Sequence, residues 1–278
     1  MIAASPFRSQ PHVSSAIDLA AARDFALDIA ARAGAAILPH FREPIAIADK
    51  GGAGGYDPVT EADRGAETII RGAIAKAYPT HGIRGEEHGH THGSEPYTWV
   101  IDPIDGTRSF ILGQMHWGTL IALRDATRPL VGVMHQPYVG ESFVAIAGEG
   151  AEWRRGGKRR ALRTRTCARL ADATLAATTP DMFATPQTRA GFERVRSRVR
   201  LTRFGGDCYA YCLLAMGLVD VVVESSLFAY DVQALMPIVE EAGGVFTTWR
   251  GERCDEGGDV VACGDPALHA EVLALLAD

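Results

Sequence analysis

Trp99-Val100-Ile101-Asp102-Pro103-Ile104-Asp105-Gly106-Thr107 is the stretch from which the rest of the chain can be read. An apolar run of β-forming residues delivers Asp102 to its end, and Pro103, lacking an N–H, stops further ladder pairing. Asp105 follows one tight turn later, so the two carboxylates converge. Carboxylates this close repel each other unless a cation neutralises them. Mg2+ suits the pair, because it prefers oxygen ligands and keeps positions open for water and a substrate phosphate. Gly106 lets a backbone approach a ligand closely, and Thr107 opens a turn whose N–H groups can face phosphate oxygens. By itself, Asp-x-x-Asp reads better as an acidic turn with a helix cap.

Working outward, further acids fall at strand ends and helix starts. Gly85-Glu86-Glu87 follows the strand-like Gly82–Arg84, Thr60 and Asp63 are spaced as a capping box, and Asp231 opens a helix after a strand that ends at Glu224. Such positions are where layered α/β sheets present ligands. Before this region a four-residue recurrence (Ile17, Ala21, Phe25, Ile29, Ala33, Ile37) predicts a helix closed by Pro39 and Pro44. A second helix buries Ala66, Ile69, Ile70, Ala73 and Ala77 and ends at Pro79. Short strands are expected at Trp99–Ile101, Trp117–Leu123, Leu130–His135 and Ser142–Ala147. The second half reads as strand Leu175–Thr178, helices Gln187–Val199 and Asp207–Met216, and strand Val219–Val223. Helix Asp231–Ala242, strands Val245–Thr248 and Val260–Cys263, and a helix from Pro266 complete it. This is an α/β protein with an α+β half joined to an α/β half. One domain, 17–278, is expected, with halves of roughly 17–150 and 151–278 behind a loose extension, 1–16. The glycines of 51–55 read as a connector, since no apolar strand precedes them and no Gly-Lys-Ser/Thr follows.

Composition sets outer bounds. Hydrophobic residues make up 47% of the 278 and charged residues 22%, an ordinary globular balance. Apolar runs fall well short of the roughly 18 residues that span a bilayer. The net charge of −6 argues against a nucleic-acid partner. Five cysteines without a Cys-x-x-Cys pair fit core positions in a reducing cytoplasm. The basic run Arg154, Arg155, Lys158, Arg159, Arg160, Arg163 and Arg165 reads as a solvated hairpin. His88, His90 and His92 read as a surface loop, and Phe110, Met115 and Trp117 as core or interface.

The acidic motifs together resemble the inositol monophosphatase family. The resemblance is carried by Asp57-Pro58-Val59-Thr60-x-x-Asp63, Gly85-Glu86-Glu87, Trp99 to Thr107, and Tyr230-Asp231-Val232 before Glu240-x-Ala242-Gly243-Gly244. It runs from about Ile17 to the C-terminus. Tyr230 is a departure, since many relatives carry Trp there. The resemblance implies a five-layer αβαβα sandwich, a homodimer, and Mg2+-dependent hydrolysis of a small phosphate monoester with two or three ions per site. Position by position it implies that Glu86, Asp102, the carbonyl oxygen of Ile104, Asp105 and Asp231 hold metal. Asp63 stands close by for a further ion or its water shell. Glu86 and Thr107 orient and deprotonate the attacking water. Asp105 and the Gly106–Thr107 turn also meet the substrate.

Substrate choice is carried by the second half. Glu224 lies where inositol phosphatases place a glutamate against the polyol. Arg203-Phe204-Gly205-Gly206-Asp207-Cys208-Tyr209-Ala210-Tyr211, with the Asp-Pro-Ile-Asp-Gly-Thr-Arg-Ser-Phe-Ile and Trp-Gly-Thr-Leu-Ile-Ala-Leu segments, resembles the histidinol-phosphate phosphatase branch. Arg203, Gly205, Gly206, Asp207 and Glu224 are therefore expected at the substrate. An added carboxylate suits an ammonium- and imidazole-bearing ester. The plain alternative for Asp207 is a helix N-cap. Competing readings are an inositol or sugar phosphatase, a nucleotide 3′-phosphatase that Asp207 would disfavour by repulsion, and a binding protein on an inactive scaffold.

Overall fold

The computed structural model describes residues 17–51 and 57–277; the extension 1–16 and most of the glycine connector lie outside the described residues. Helix α1 (Leu19–Ile37) is capped by Asp18 and followed by α2 (Glu61–Ala77), which packs beside it. Two short strands, β1 (Ile47–Asp49) and β2 (Pro58–Thr60), pair between them. The Thr60–Asp63 capping box that starts α2 is present as expected. The buried faces differ from the strict four-residue pattern. In α1 they are Ala22, Ala26, Ile29, Ala30, Ala33 and Ile37, with Ala21 exposed. A four-residue step advances 400°, so a stripe drawn on it drifts 40° per turn from the true face. In α2 the outer Ala77 is exposed, and the stripe instead includes Asp63 and Glu67.

β3 (Gly82–Gly85), β4 (Gly89–Thr91), β5 (Thr98–Asp105), β6 (Gly118–Arg124), β7 (Pro129–Gln136), β8 (Glu141–Ile146), β9 (Gly150–Arg155) and β10 (Lys158–Ala161) form one sheet. Its order is β10-β9-β8-β7-β6-β5-β3-β4, antiparallel except where β3 runs parallel to β5. A short helix, α3 (Thr107–Ile111), leaves the end of β5. The basic run is the expected hairpin, with Lys158 opposite Arg155. Phe110 and Trp117 are buried, whereas Leu112 and Met115 are exposed.

The second sheet has order β12-β11-β13-β15-β14. Its strands are β11 (Thr174–Ala177), β12 (Leu201–Phe204), β13 (Val221–Phe228), β14 (Val245–Thr248) and β15 (Gly257–Cys263). Helices α4 (Pro186–Arg196), α5 (Asp207–Ala215), α6 (Ala229–Val232), α7 (Leu235–Glu241) and α8 (Pro266–Ala277) complete the chain. The single helix expected over 231–242 is two. Pro237 has no N–H for the carbonyl of Gln233 and its ring crowds that carbonyl, so the helix breaks between Val232 and Leu235.

Side-chain alternation sorts these elements into five layers. Trp99 and Ile101 of β5 face α1 and α2, while Val100 faces the opposite way, into the core containing α5 and α7. On β13, Val222 faces that same middle core, and Val221 and Val223 pack with α4 and α8. Each sheet is thus apolar on both faces, and the order is αβαβα. Ala122, Gly132 and Ala145 lie side by side across β6, β7 and β8 and admit α7 closely. A Cβ on Gly132 would lie 2.1 Å from the carbonyl oxygen of Ala234. Gly132→Ala is therefore expected to cost about 1–3 kcal/mol and about 3–10 °C of melting temperature. A thermal melt within 1 °C of the parent (about the precision of the method) would show that α7 is less tightly seated than this contact implies.

Candidate active site

Asp102 and Asp105 are three apart on β5, and an unbroken strand would send them to opposite faces. The register prevents this. Asp102 stands opposite Leu120 and Asp105 opposite Gly118, so β5 carries one extra residue there. This bulge turns both carboxylates to one side and tolerates Pro103 without a ladder bond. The strand therefore continues past Pro103 to Asp105, a correction to the expected stop. Its irregular backbone is pinned by Ile104 N–H donating to Asp102 Oδ1 (3.0 Å) and Thr119 Oγ1 donating to the Pro103 carbonyl (2.9 Å). Gly106 has φ of +85°, and a Cβ on it would lie 2.6 Å from the His116 carbonyl oxygen. Both demands select glycine. Thr107 then folds back, its hydroxyl donating to the Ile104 carbonyl at 3.0 Å.

Asp231 comes from the other half. β13 also runs further than expected, to Phe228, with its own bulge between Glu224 and Leu227. Asp231 is then the third residue of α6, where Oδ2 accepts the Phe228 N–H at 2.7 Å. Asp102, Asp105 and Asp231 each place a carboxylate oxygen within 4.8 Å of the others. Burial first, then neighbouring carboxylates, drive all three upward: Asp102 and Asp231 far above the ordinary carboxylate range, and Asp105, facing Asp207, to about 7 despite the N–H donated by Cys208 at 2.9 Å.

Glu86 occupies the turn between β3 and β4. Burial raises its pKa, opposed by the ammonium of Lys50, and its carboxyl is within hydrogen-bonding reach of Asp102. Lys50 Nζ lies 2.8 Å from Glu86 Oε1 and 2.7 Å from Glu87 Oε1. Asp63 is fully buried at the start of α2. Its Oδ2 accepts the amide and hydroxyl of Thr60 (2.8 and 2.6 Å), while Oδ1 has no partner among the described residues. A buried carboxylate oxygen without a donor, with Glu87 as its charged neighbour, fits a divalent cation with its water shell. The ligand atoms that Asp102, Asp105 and Asp231 bring together are all carboxylate oxygens, a set that selects a hard ion.

The segment after β12 approaches the same turn. Gly205 has φ of +84° and its N–H meets the carbonyls of Ala177 and Thr178. Gly206 is the N-cap of α5 and packs on Ala210, where a Cβ would come within 2.8 Å. Asp207 does not cap. It is the first helical residue, at φ +43°, and its Oδ2 accepts from Ser109 Oγ at 2.7 Å. Gly106 lies against it, a Cβ there being 3.2 Å from the Asp207 Cβ. Burial raises the Asp207 pKa, and Ser109 partly offsets this. Glu224 is buried, accepting from Thr178 N (2.8 Å), Thr178 Oγ1 (2.6 Å) and Tyr211 OH (2.9 Å); burial still pushes it up to about 7. Arg203 stands exposed on edge strand β12 and is not drawn into the acidic cluster by any described contact.

Several site groups were not singled out from sequence. Ser109 and Tyr211 lie inside motifs that carry the resemblance without a role being assigned to them, while Lys50 and Thr178 act across 36 and 46 positions and left no local pattern. Glu67 did leave one: it shares the buried stripe of α2 with Ala66, Ile70 and Ile74, where an acid is out of place. A groove of 470 Å³ near Arg23, Glu149, Arg160 and Glu241 contains none of these residues.

Known proteins share this chain's sequence pattern and fold. A family model described as the inositol monophosphatase family matches residues 18–278. The chloroplastic bifunctional phosphatase IMPL2 of Arabidopsis thaliana is 39% identical over 89% of this chain and 72% of its own. A histidinol-phosphatase of Mycobacterium tuberculosis is 37% identical over 79% of this chain and 84% of its own. A solved inositol monophosphatase from Zymomonas mobilis is 37% identical and superposes with a TM-score of 0.83, covering 94% of this chain and 100% of that one.

The raised carboxyls give the site a pH signature. An acid whose pKa rises on folding stabilises the fold fully below its ordinary value, and that contribution is lost as pH climbs through the folded value. With Asp105 and Glu224 at about 7, the EDTA-treated protein is expected to lose melting temperature between about pH 5 and 8, by several degrees. Added Mg2+ should reverse the loss. A melting temperature that is flat or rises over that range in EDTA would contradict the electrostatics described.

Proposed function

The chain belongs to the inositol monophosphatase family and is a phosphatase, and from that premise we propose that it hydrolyses L-histidinol phosphate to L-histidinol and phosphate with Mg2+ as cofactor. Glu86, Asp102, the Ile104 carbonyl, Asp105 and Asp231 would hold the ions. Bound there, Mg2+ stabilises charge on the phosphoryl oxygens and acidifies water. Glu86 takes the proton of the attacking water. The Thr107 hydroxyl, whose hydrogen already points to Ile104, offers that water a lone pair. Asp63 accepts from the surrounding water through its free oxygen. The Gly106–Thr107 turn and Asp105 position the phosphate. No side chain attacks phosphorus, so no phosphoenzyme forms.

The observation that carries the substrate reading is Asp207. Its carboxylate is not used as a helix cap, is held by Ser109 through one oxygen, and stands beside the phosphate turn at Gly106. Its burial favours a cationic partner, and the ammonium group of histidinol is one. Gly205 and Gly206 shape the backbone that presents it, Arg203 stands at the outer start of that segment, and Glu224 adds a second carboxylate nearby. An inositol or related sugar phosphate is the second reading, favoured by Glu224 and by the likeness to the Zymomonas mobilis inositol monophosphatase.

Asp105→Asn is near-isosteric and removes one charge from the cluster. It is expected to lower kcat by more than the roughly 10–100-fold that loss of a supporting group costs a metal site, with circular dichroism unchanged. Near-normal kcat at saturating Mg2+ would sink the ligand assignment. Asp207→Ala is expected to cost about 1.5–3 kcal/mol, or about tenfold to a hundredfold in kcat/KM, on histidinol phosphate. Hydrolysis of p-nitrophenyl phosphate by the same variant should hardly change. Parallel losses on both esters would reject ammonium recognition and favour the second reading.

A further inference from the structure

The turn that carries Glu86 is held by a side chain from another element. β3 and β4 pair up to Gly85 opposite Gly89, leaving a three-residue loop, Glu86-Glu87-His88. Every N–H of that loop is engaged. Glu86 N donates to the Ile101 carbonyl on β5 at 3.2 Å. Glu87 N donates to Glu67 Oε2 at 2.7 Å, and His88 N to Glu67 Oε1 at 3.1 Å. One helical turn along α2, Arg71 donates to the Gly89 carbonyl (3.2 Å) and to Thr91 Oγ1 (3.1 Å), and its Nη1 lies 3.3 Å from Glu67 Oε1. Glu67 and Arg71 thus grip the hairpin from one helix, Glu67 at the loop and Arg71 along β4.

This arrangement is demanding. Glu67 is 0% exposed, on the apolar stripe of α2. A carboxylate buried there destabilises the fold unless its oxygens are matched by donors. A Cβ on Gly85 would lie 2.0 Å from Glu67 Oε1, so the carboxylate rests directly on the strand backbone and tolerates only glycine there. An exposed hairpin loop has its amides satisfied by water. Here a buried acid replaces water and leaves the loop one conformation. Asp63, Glu67 and Arg71 recur every four residues, so α2 presents to the site both the acid with the free oxygen and the clamp on Glu86.

We propose that Glu67 is a positioning residue: by accepting the Glu87 and His88 amides it aims the Glu86 carboxylate at Asp102, and so sets the affinity of the site for its divalent cation. The proposal rests on the reading of Glu86 as a metal ligand. Gln at position 67 offers one acceptor oxygen where two amides need one each, and its NH2 faces the second amide.

The test is calorimetric titration of Mn2+ into the metal-stripped full chain and its Glu67→Gln, Arg71→Met and Glu86→Gln variants, with Mg2+ activation curves alongside. Glu67→Gln is expected to weaken Mn2+ binding roughly 10–100-fold. The Mg2+ concentration for half-maximal activity should rise by the same factor, while kcat at saturating Mg2+ returns close to the parent value. Arg71→Met, which loosens the same hairpin from its partly exposed side, should shift binding in the same direction by less. A role confined to folding would lower the melting temperature and leave Mn2+ affinity at the parent value, and that result overturns the proposal. Should Glu67→Gln fail to fold, parent-like Mn2+ binding by Arg71→Met overturns it equally. If Glu86→Gln weakens binding and Glu67→Gln does not, the positioning role alone fails. If Glu86→Gln also binds as the parent does, the ligand reading of Glu86 fails first.

Discussion

Repulsion among buried carboxylates is the constraint around which this molecule is arranged. Asp102, Asp105 and Asp231 bring oxygens within 4.8 Å of one another, with Glu86 in hydrogen-bonding reach of Asp102. A folded chain tolerates such a concentration only if protons or a cation neutralise it and if the backbone beneath cannot relax. Rigid supports accordingly surround each acid. Asp231 accepts the Phe228 amide, Asp105 receives the Cys208 amide, and the Ile104 amide fixes Asp102. The two sheets and the middle helices hold these segments together from both halves of the chain.

Local irregularity does the aiming. Each of the two acid-bearing strands carries one extra residue at the site, between Asp102 and Asp105 on β5 and between Glu224 and Leu227 on β13. A regular strand can show alternate residues only to alternate faces, so odd separations such as 102 to 105 cannot share a site without a bulge. Glycine plays the matching part where a neighbouring group presses on the backbone: Gly85 against the Glu67 carboxylate, and Gly106 against Asp207 and the His116 carbonyl.

The acidic cluster and the carboxylate proposed to select the substrate sit on different elements of the fold. The acidic cluster and its water-facing neighbours belong to β5, α2, the β3–β4 turn and α6. Asp207 enters on α5, the middle layer, and is coupled to the first half by the Ser109 hydroxyl at 2.7 Å. Asp207 is nevertheless joined to that cluster: the amide of the next residue, Cys208, donates to Asp105, and Gly106 packs against the Asp207 Cβ.

Most of the helices and strands in their order, and the acidic motifs, could be read from sequence, because they rest on local periods of two and 3.6 residues and on short contiguous motifs. Residues 99–107 alone announced paired acids, and Thr60–Asp63 announced a helix start. Short or exposed pieces could not be read: β1, β4 and edge strand β12, which holds Arg203, lack an apolar alternation. Strand ends also escaped, since the bulges that carry β5 past Pro103 and β13 past Glu224 depend on pairing with a distant neighbour. Above all, the partners of the site residues were invisible. Glu67 reaches the Glu87 amide across 20 positions, Thr178 reaches Glu224 across 46, and Ser109 reaches Asp207 across 98. A residue's type limits what it can donate or accept, but only packing two sheets and three helical layers together decides which groups come within hydrogen-bonding distance.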